Sequence, residues 1–115
     1  MYPPMYAPDH KHTAVITIGR NIENEPMGDT RWDSFVGEVN EIVKNRSSQV
    51  YTARAYGEGR WENPTGGGAI IESSCSWVFE MEEASAKYFK NALHELAKKY
   101  EQDGIALILG STTIC

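Results

Sequence analysis

Two segments of the chain repeat apolar residues every three or four positions, the spacing of an amphipathic helix. In the first segment, Thr30 and Asp33 have the spacing of a capping box, with aspartate replacing the usual glutamate. In the second, Lys98 and Lys99 occupy the last turn and Gly104 follows, which is a typical C-terminal signature. The two apolar stripes are Trp32, Phe35, Val36, Val39, Ile42 and Val43, then Ser85, Tyr88, Phe89, Ala92, Leu93, Leu96 and Tyr100.

Four other segments favour β-strands, because they are β-branched or alternate between apolar and polar residues. These segments are residues 13–18, 50–61, 69–81 and 105–109, and a turn containing Gly66–Gly68 joins the middle two into a hairpin. The resulting order is β-α-β-β-α-β. That order predicts an α+β, ferredoxin-like fold, with a four-stranded sheet of order 4-1-3-2 and two helices on one face.

The N-terminal residues 1–12 hold three of the five prolines and are expected to form a flexible Pro/Tyr-rich arm. Within the arm, Pro3-Pro4-Met5-Tyr6 fits the Pro-Pro-x-Tyr pattern that WW domains bind, although so short a match arises easily by chance. No secretory signal is recognisable in this arm. Residues 13–115 are expected to form a single domain.

Side-chain alternation assigns one face of each hairpin strand to the helices. On the strand 69–81, the apolar set that includes Cys75, Trp77 and Phe79 should face the helices. If positions of like parity pair across the turn, Arg54, Tyr56 and Arg60 lie on the open face of the sheet. Two guanidinium groups beside a tyrosine favour a carboxylate or phosphate ligand. The alternative is a solvated face with cross-strand ion pairs.

A long loop supplies further candidate contacts. Residues 19–29 form an 11-residue connection between the first strand and the first helix, and long loops at strand ends often carry ligand contacts. Arg20 and Asn21 in this loop, with Arg31 and Trp32 nearby, are candidates for one wall of a pocket. Trp61 at the hairpin tip is a candidate stacking group. The predicted ligand-binding residues are Arg20, Arg54, Tyr56, Arg60 and Trp61.

The first and last strands in sequence predict self-association. Residues 105–109 and 13–18 carry apolar side chains on both faces, and strands of this kind are usually buried on both faces. A second copy of the chain, the N-terminal arm or the C-terminal tail 110–115 could cover them, and stacking of open sheet faces in a homodimer is the preferred arrangement.

Charge, cysteine content and motifs exclude several classes of protein. Acidic residues outnumber basic ones 16 to 11, which makes nucleic acid an unlikely partner. No apolar run is long enough to span a membrane. The two cysteines, Cys75 and Cys115, indicate free thiols and a cytoplasmic location. No metal site, cofactor motif or nucleophilic triad is recognisable, because the zinc-protease pattern that begins at His94 lacks its second histidine at Lys98.

Three hypotheses about function remain. The first is a non-catalytic, homo-oligomeric protein that binds a small anionic ligand, such as a nucleotide or an organic acid. The second is a viral or regulatory protein that acts by binding or inhibiting another protein. The third is a small isomerase or lyase of the dimeric α+β barrel type, for which Tyr56, Glu72 and His94 are the only plausible acid–base groups.

Overall fold

The computed structural model describes residues 11–62 and 66–110. The predicted arm lies outside these residues except for Lys11 and His12, which belong to the first strand. The elements are β1 (Lys11–Gly19), β2 (Asn21–Ile22), β3 (Glu25–Pro26), α1 (Asp29–Arg46), β4 (Ser47–Glu62), β5 (Ala69–Glu82), a 3-10 turn (Glu83–Ser85), α2 (Ala86–Lys99) and β6 (Ala106–Gly110).

The main sheet has four antiparallel strands in the order β4-β5-β1-β6. The predicted α+β fold is confirmed. With the two-residue strands left aside, this order is the expected 4-1-3-2. What differs in detail is a second, two-stranded sheet of β2 and β3, formed within the stretch predicted as a plain loop.

One face of the sheet carries both helices and the core. The β5 side chains Cys75, Trp77 and Phe79 are buried there, as alternation predicted, beside Ile16 of β1 and Phe35 of α1. Since buried apolar surface is the main source of folding free energy, this layer holds the sheet and helices together. The remaining buried apolar residues include Ala14, Ile18, Val36, Val39, Val43, Met81, Phe89, Leu93 and Leu96.

One polar contact crosses this core. The indole nitrogen Nε1 of Trp77 donates a hydrogen bond to Oδ1 of Asn40 at 2.7 Å. Buried polar groups must find partners, and this bond lets the largest fully buried side chain approach α1 without leaving its N–H unsatisfied.

The helix ends differ from their predictions. The capping box at Thr30 was wrong: the N-cap of α1 is Gly28, and Trp32 N already donates to Gly28 O at 3.0 Å. The helix therefore starts before Thr30. Helix α2 ends in a Schellman arrangement in which Glu101, not Gly104, has the left-handed conformation, with φ 54°. Gln102 N donates to Ala97 O at 2.8 Å to close that cap.

The β4–β5 hairpin extends beyond the helices. The molecule measures 57 × 27 × 22 Å, and Ile71 of β5 remains 50% exposed although it shares the side of the core residues. Gly66, Gly67 and Gly68 have φ between 80° and 95°, which agrees with the predicted turn chemistry. Neither helix in the described part of the chain is long and apolar enough to span a membrane.

Candidate functional site

A cleft of about 700 Å³ opens where β1 ends, beside the part of the hairpin that leaves the body of the molecule. Its walls come from the loop after β1, the β4–β5 hairpin and the turn between α2 and β6. The lining residues are Gly19, Asn21, Ile22, Glu23, Trp61, Glu62, Ile70, Glu72, Glu101, Gln102, Asp103, Gly104, Ile105 and Ala106.

Glu72 is fixed at one wall of the cleft by the loop after β1. Its Oε2 accepts a hydrogen bond from the backbone N–H of Asn21 at 2.6 Å. The carboxylate also lies directly over Gly19: a Cβ at that position would be 2.1 Å from Oε1. Only glycine therefore leaves room for this carboxylate, so the residue at the end of β1 determines where a charge sits in the cleft.

Gln102 holds the same loop from the opposite side. Its Nε2 donates to the carbonyl of Asn21 at 3.0 Å and to the carbonyl of Tyr100 at 3.2 Å. Glu101 and Glu23, which also line the cleft, both have positive φ, at 54° and 57°. Non-glycine residues rarely adopt this conformation, and the hydrogen bonds around Asn21 hold the two loops together in spite of it.

The cleft is acidic. Five of its lining residues are carboxylates, and within the described part of the chain no lysine or arginine lines it. Carboxylates that share a site with few opposing charges attract a cation, since each one interacts favourably with the same positive group. The five are Glu23, Glu62, Glu72, Glu101 and Asp103.

Trp61 supplies the aromatic surface of the cleft. It pairs with Ile70 across the hairpin and lies on the open side of the sheet. Its Nε1 is buried and finds no hydrogen-bond acceptor among the described residues. The same atom lies 3.0 Å from the position that a Cβ on Gly59 would take. Because Gly59 has no side chain, the indole of Trp61 can lie against this part of its own strand. An indole face beside carboxylates suits a planar ligand with a positive charge.

The predicted face of the β4 residues was wrong. Arg54 pairs with Trp77, Tyr56 with Cys75 and Arg60 with Ile71, so all three point to the helix side of the sheet. The hairpin register pairs even-numbered residues of β4 with odd-numbered residues of β5. This one-residue offset from the predicted pairing moves every side chain of β4 to the opposite face of the sheet.

The structure brings only part of the predicted site together. The guanidinium of Arg54 lies 5.4 Å from the ring centroid of Tyr56, and Arg60 follows on the same side of the strand. Trp61 lies on the opposite side, in the acidic cleft. Tyr56 and Glu72, two of the acid–base groups considered above, are therefore separated by the sheet.

Arg20 is occupied within its own loop. Its Nε donates to the carbonyl of Met27 at 2.7 Å, and its NH2 group pairs with Asp29 at 2.6 Å. The guanidinium also lies 5.9 Å from the ring of the buried Trp32. These contacts tie the loop to the start of α1. Arg31 instead reaches Glu101 at 3.0 Å.

Three titratable groups outside the cleft have shifted pKa values. Burial, followed by the hydrogen bond to Glu38, raises the pKa of Tyr100 to about 12. Burial also works to raise the pKa of Glu38, but the hydrogen bonds from Tyr100 and Lys99 outweigh it and lower that pKa. Burial raises the pKa of Cys75, which the nearby charge of Arg54 opposes. None of these three groups lines the cleft.

Sequence reasoning missed most of the cleft residues. Glu72 was considered as one of three acid–base groups, and the turn containing Glu101 and Gln102 was not considered as a source of ligand contacts. The long loop containing Asn21 and the candidate stacking residue Trp61 were the two signals that pointed to this cleft. A glycine directly after a β-branched strand, at Gly19, is a third usable signal because it marks close approach of another group.

Comparisons with known proteins concern the fold. No protein-family model matches the sequence, and no curated protein matches it. A phage SAM lyase in complex with S-methyl-5'-thioadenosine is similar in structure, with 17% identity and a TM-score of 0.59 over 89% of this chain and 81% of that chain. A DUF3240 family protein from Shewanella baltica has 12% identity and a TM-score of 0.52 over 90% and 92%. At these identities, the similarities establish a shared α+β fold.

Proposed function

We propose that the protein binds a small organic cation with a planar ring in the acidic cleft. The observation that carries this proposal is the lining: five carboxylates and the half-buried indole of Trp61, without a lysine or arginine among the described lining residues. The volume of about 700 Å³ is in the range of small-molecule sites. This ligand has the opposite charge to the one predicted from the arginines of β4.

A sulfonium nucleoside is the ligand class that fits both features. The structurally similar phage enzyme is a SAM lyase, and its structure holds S-methyl-5'-thioadenosine. S-adenosylmethionine (SAM) carries a planar adenine ring and a positive sulfur. The ring would stack on Trp61, and the positive sulfur would be attracted to Glu72 and its neighbours.

Titration calorimetry with two related ligands tests the proposal. SAM should bind, and S-adenosylhomocysteine, which keeps the ring and the amino acid but lacks the positive sulfur, should bind at least about tenfold more weakly if the carboxylates contribute 1.4 kcal/mol or more. Glu72→Gln should remove most of that difference. The matched control Glu83→Gln changes an exposed carboxylate outside the cleft and should leave both affinities unchanged. Equal affinity for the two ligands in the wild-type chain would contradict the proposal.

A second candidate function is lyase activity on the same ligand, which the similarity to the phage SAM lyase favours. Incubation of SAM with the protein, followed by chromatography, separates the two functions. Intact SAM is the result expected of a binding protein. Time-dependent formation of S-methyl-5'-thioadenosine that Glu72→Gln slows would instead make the chain an enzyme.

The predicted anionic ligand remains a separate proposal for the helix side of β4. It is supported by Arg54, Tyr56 and Arg60, which are exposed on the same side of β4. Arg20 and Trp61 lie outside that strip. A thermal shift with ATP that disappears in Arg54→Ala/Arg60→Ala, while SAM binding persists, is the expected result. No shift with ATP would eliminate this ligand.

We further propose that the protein is a cytoplasmic homodimer. The buried free thiol of Cys75 is compatible with a reducing compartment. Self-association is supported by apolar surface left open in the single chain, where Ile108 of β6 is 60% exposed and Leu109 is 36% exposed.

A further inference from the structure

The outer edge of β4 is the longer of the two free edges of the main sheet, and charged side chains are its main protection against pairing with other strands. β4 stands at one end of the strand order, and its register with β5 is regular from Thr52 to Glu62. Edge strands normally carry protective devices such as proline, a bulge or short length, because their backbone groups are free to pair with another strand. The only irregularity of β4 lies before Thr52, and the regular part contains no proline.

The charges on this edge are complementary to themselves. On the helix side, Arg54 and Glu58 flank Tyr56 at equal distances, and all three side chains are exposed. Arg54 and Glu58 are four positions apart, which is about 13 Å along a strand, so they cannot pair within one chain. Among the described residues, Glu58 forms no ion pair.

We infer that two copies of the chain pair antiparallel through β4, on a two-fold axis at Tyr56. In this register Arg54 lies directly opposite Glu58 of the second copy, and the same pair repeats on the other side of the axis. Directly opposite residues of antiparallel strands have Cβ atoms about 4.5–5.5 Å apart, within reach of an ion pair. The two sheets become one eight-stranded sheet with all four helices on one face.

Neighbouring symmetric registers lack this match. Moving the axis to Gly57 places Arg54 opposite Arg60, which is repulsive. Moving it to Ala55 places Arg54 opposite Tyr56 and leaves Glu58 opposite Thr52.

The other side of the edge is compatible with the Tyr56 register. There Ala53 lies opposite Gly59 and Ala55 opposite Gly57, so small residues meet and nothing obstructs the approach. An axis at Gly59 would also pair Glu58 with Arg60, but the regular part of β4 would then overlap only over residues 56–62, against residues 52–60 for the axis at Tyr56. The charge pattern and the longer overlap together favour the Tyr56 register.

This inference rests on the proposed homodimer, but it places the interface at the β4 edge, at the opposite end of the strand order from the exposed apolar residues of β6. Charge reversal tests it. Sedimentation velocity should show a dimer for the wild-type chain. Arg54→Glu or Glu58→Arg alone replaces two attractive pairs by two repulsive ones and should raise the dimer Kd by about 30-fold. The double variant Arg54→Glu/Glu58→Arg restores both pairs and should recover the wild-type Kd within about threefold. Lys87→Glu, an exposed reversal on α2, is the matched control.

Cysteine cross-linking tests the position of the axis. In a Cys115→Ser background, Tyr56→Cys should form a disulfide-linked dimer under mild oxidation. Thr52→Cys should not, because its two copies would lie about 26 Å apart in this register.

The outcomes are distinguishable. A wild-type chain that stays monomeric overturns the homodimer itself. A dimer that tolerates both single reversals but dissociates in Ile108→Asp places the interface on the open face and overturns the β4 edge. SAM binding measured in the same variants reports on the cleft separately, because none of the substituted residues lines it.

Discussion

Alanine at position 19 is expected to displace the carboxylate of Glu72 from the cleft. The new Cβ would lie 2.1 Å from Oε1 and 2.5 Å from Cδ of Glu72, which no real contact permits. The carboxylate is the flexible end of its side chain and can swing away. It then loses the hydrogen bond from Asn21 N, which is 2.6 Å long in the wild-type protein.

The magnitude follows from two opposing effects. A hydrogen bond to a charged acceptor contributes about 1.5–3 kcal/mol. Replacing glycine by alanine where the backbone conformation suits both gains about 0.4–1 kcal/mol, because the unfolded chain loses freedom. The backbone of Gly19 does not have positive φ, so that gain applies. Gly19→Ala should therefore cost about 1–2 kcal/mol of unfolding free energy.

A double-mutant cycle isolates the clash. In a Glu72→Ala background there is no carboxylate to displace, and Gly19→Ala should become neutral or stabilising by about 0.5 kcal/mol. Urea denaturation followed by circular dichroism, at one protein concentration, gives the four free energies. The control Gly110→Ala alters a strand glycine with no atom within 4 Å of the new Cβ and should change little. If Gly19→Ala costs the same in both backgrounds, Glu72 does not explain the glycine.

Three further predictions concern groups outside this contact. Because burial and Glu38 raise the folded-state pKa of Tyr100 from 10.0 to about 12, its contribution to stability is complete below pH 10 and is lost between pH 10 and 12. Tyr100→Phe should cost about 1 kcal/mol at neutral pH and flatten this alkaline loss in pH-dependent urea melts. Because Cys75 is fully buried, its thiol in a Cys115→Ser variant should react with Ellman's reagent only as fast as the protein opens; rapid labelling would show that the strand opens locally. Glu101→Gly should raise the thermal midpoint, since relief of the left-handed φ, about 0.5–1 kcal/mol, exceeds the loss of an exposed ion pair with Arg31.

The fold was accessible from the sequence because periodicity reports burial directly. The alternation that places Trp77 and Phe79 against the helices is dictated by one large core, so β5 was oriented correctly. β4 has no such signal, since both of its faces are exposed beyond the helices and small or charged residues alternate weakly there. Its orientation depends on the hairpin register, and a difference of one residue was enough to put Arg54 on the wrong side.

The cleft was less accessible for a different reason. Its residues come from three segments that are distant in sequence, and only the long loop after β1 and Trp61 were recognisable in advance as candidate ligand contacts. Only the meeting of Glu72 with Gly19 and of Gln102 with Asn21 creates it, and such contacts follow from the tertiary structure rather than from periodicity.

The two backbone hydrogen bonds of Asn21 link these segments and affect the local unfolding of this end of the sheet. The N–H of Asn21 is held by Glu72 and its carbonyl by Gln102, 51 and 81 residues away along the chain. Breaking either bond frees one loop from the other, so this end of the sheet should exchange its amide hydrogens as a single cooperative unit. A bound ligand would then slow exchange at Asn21 even without touching it.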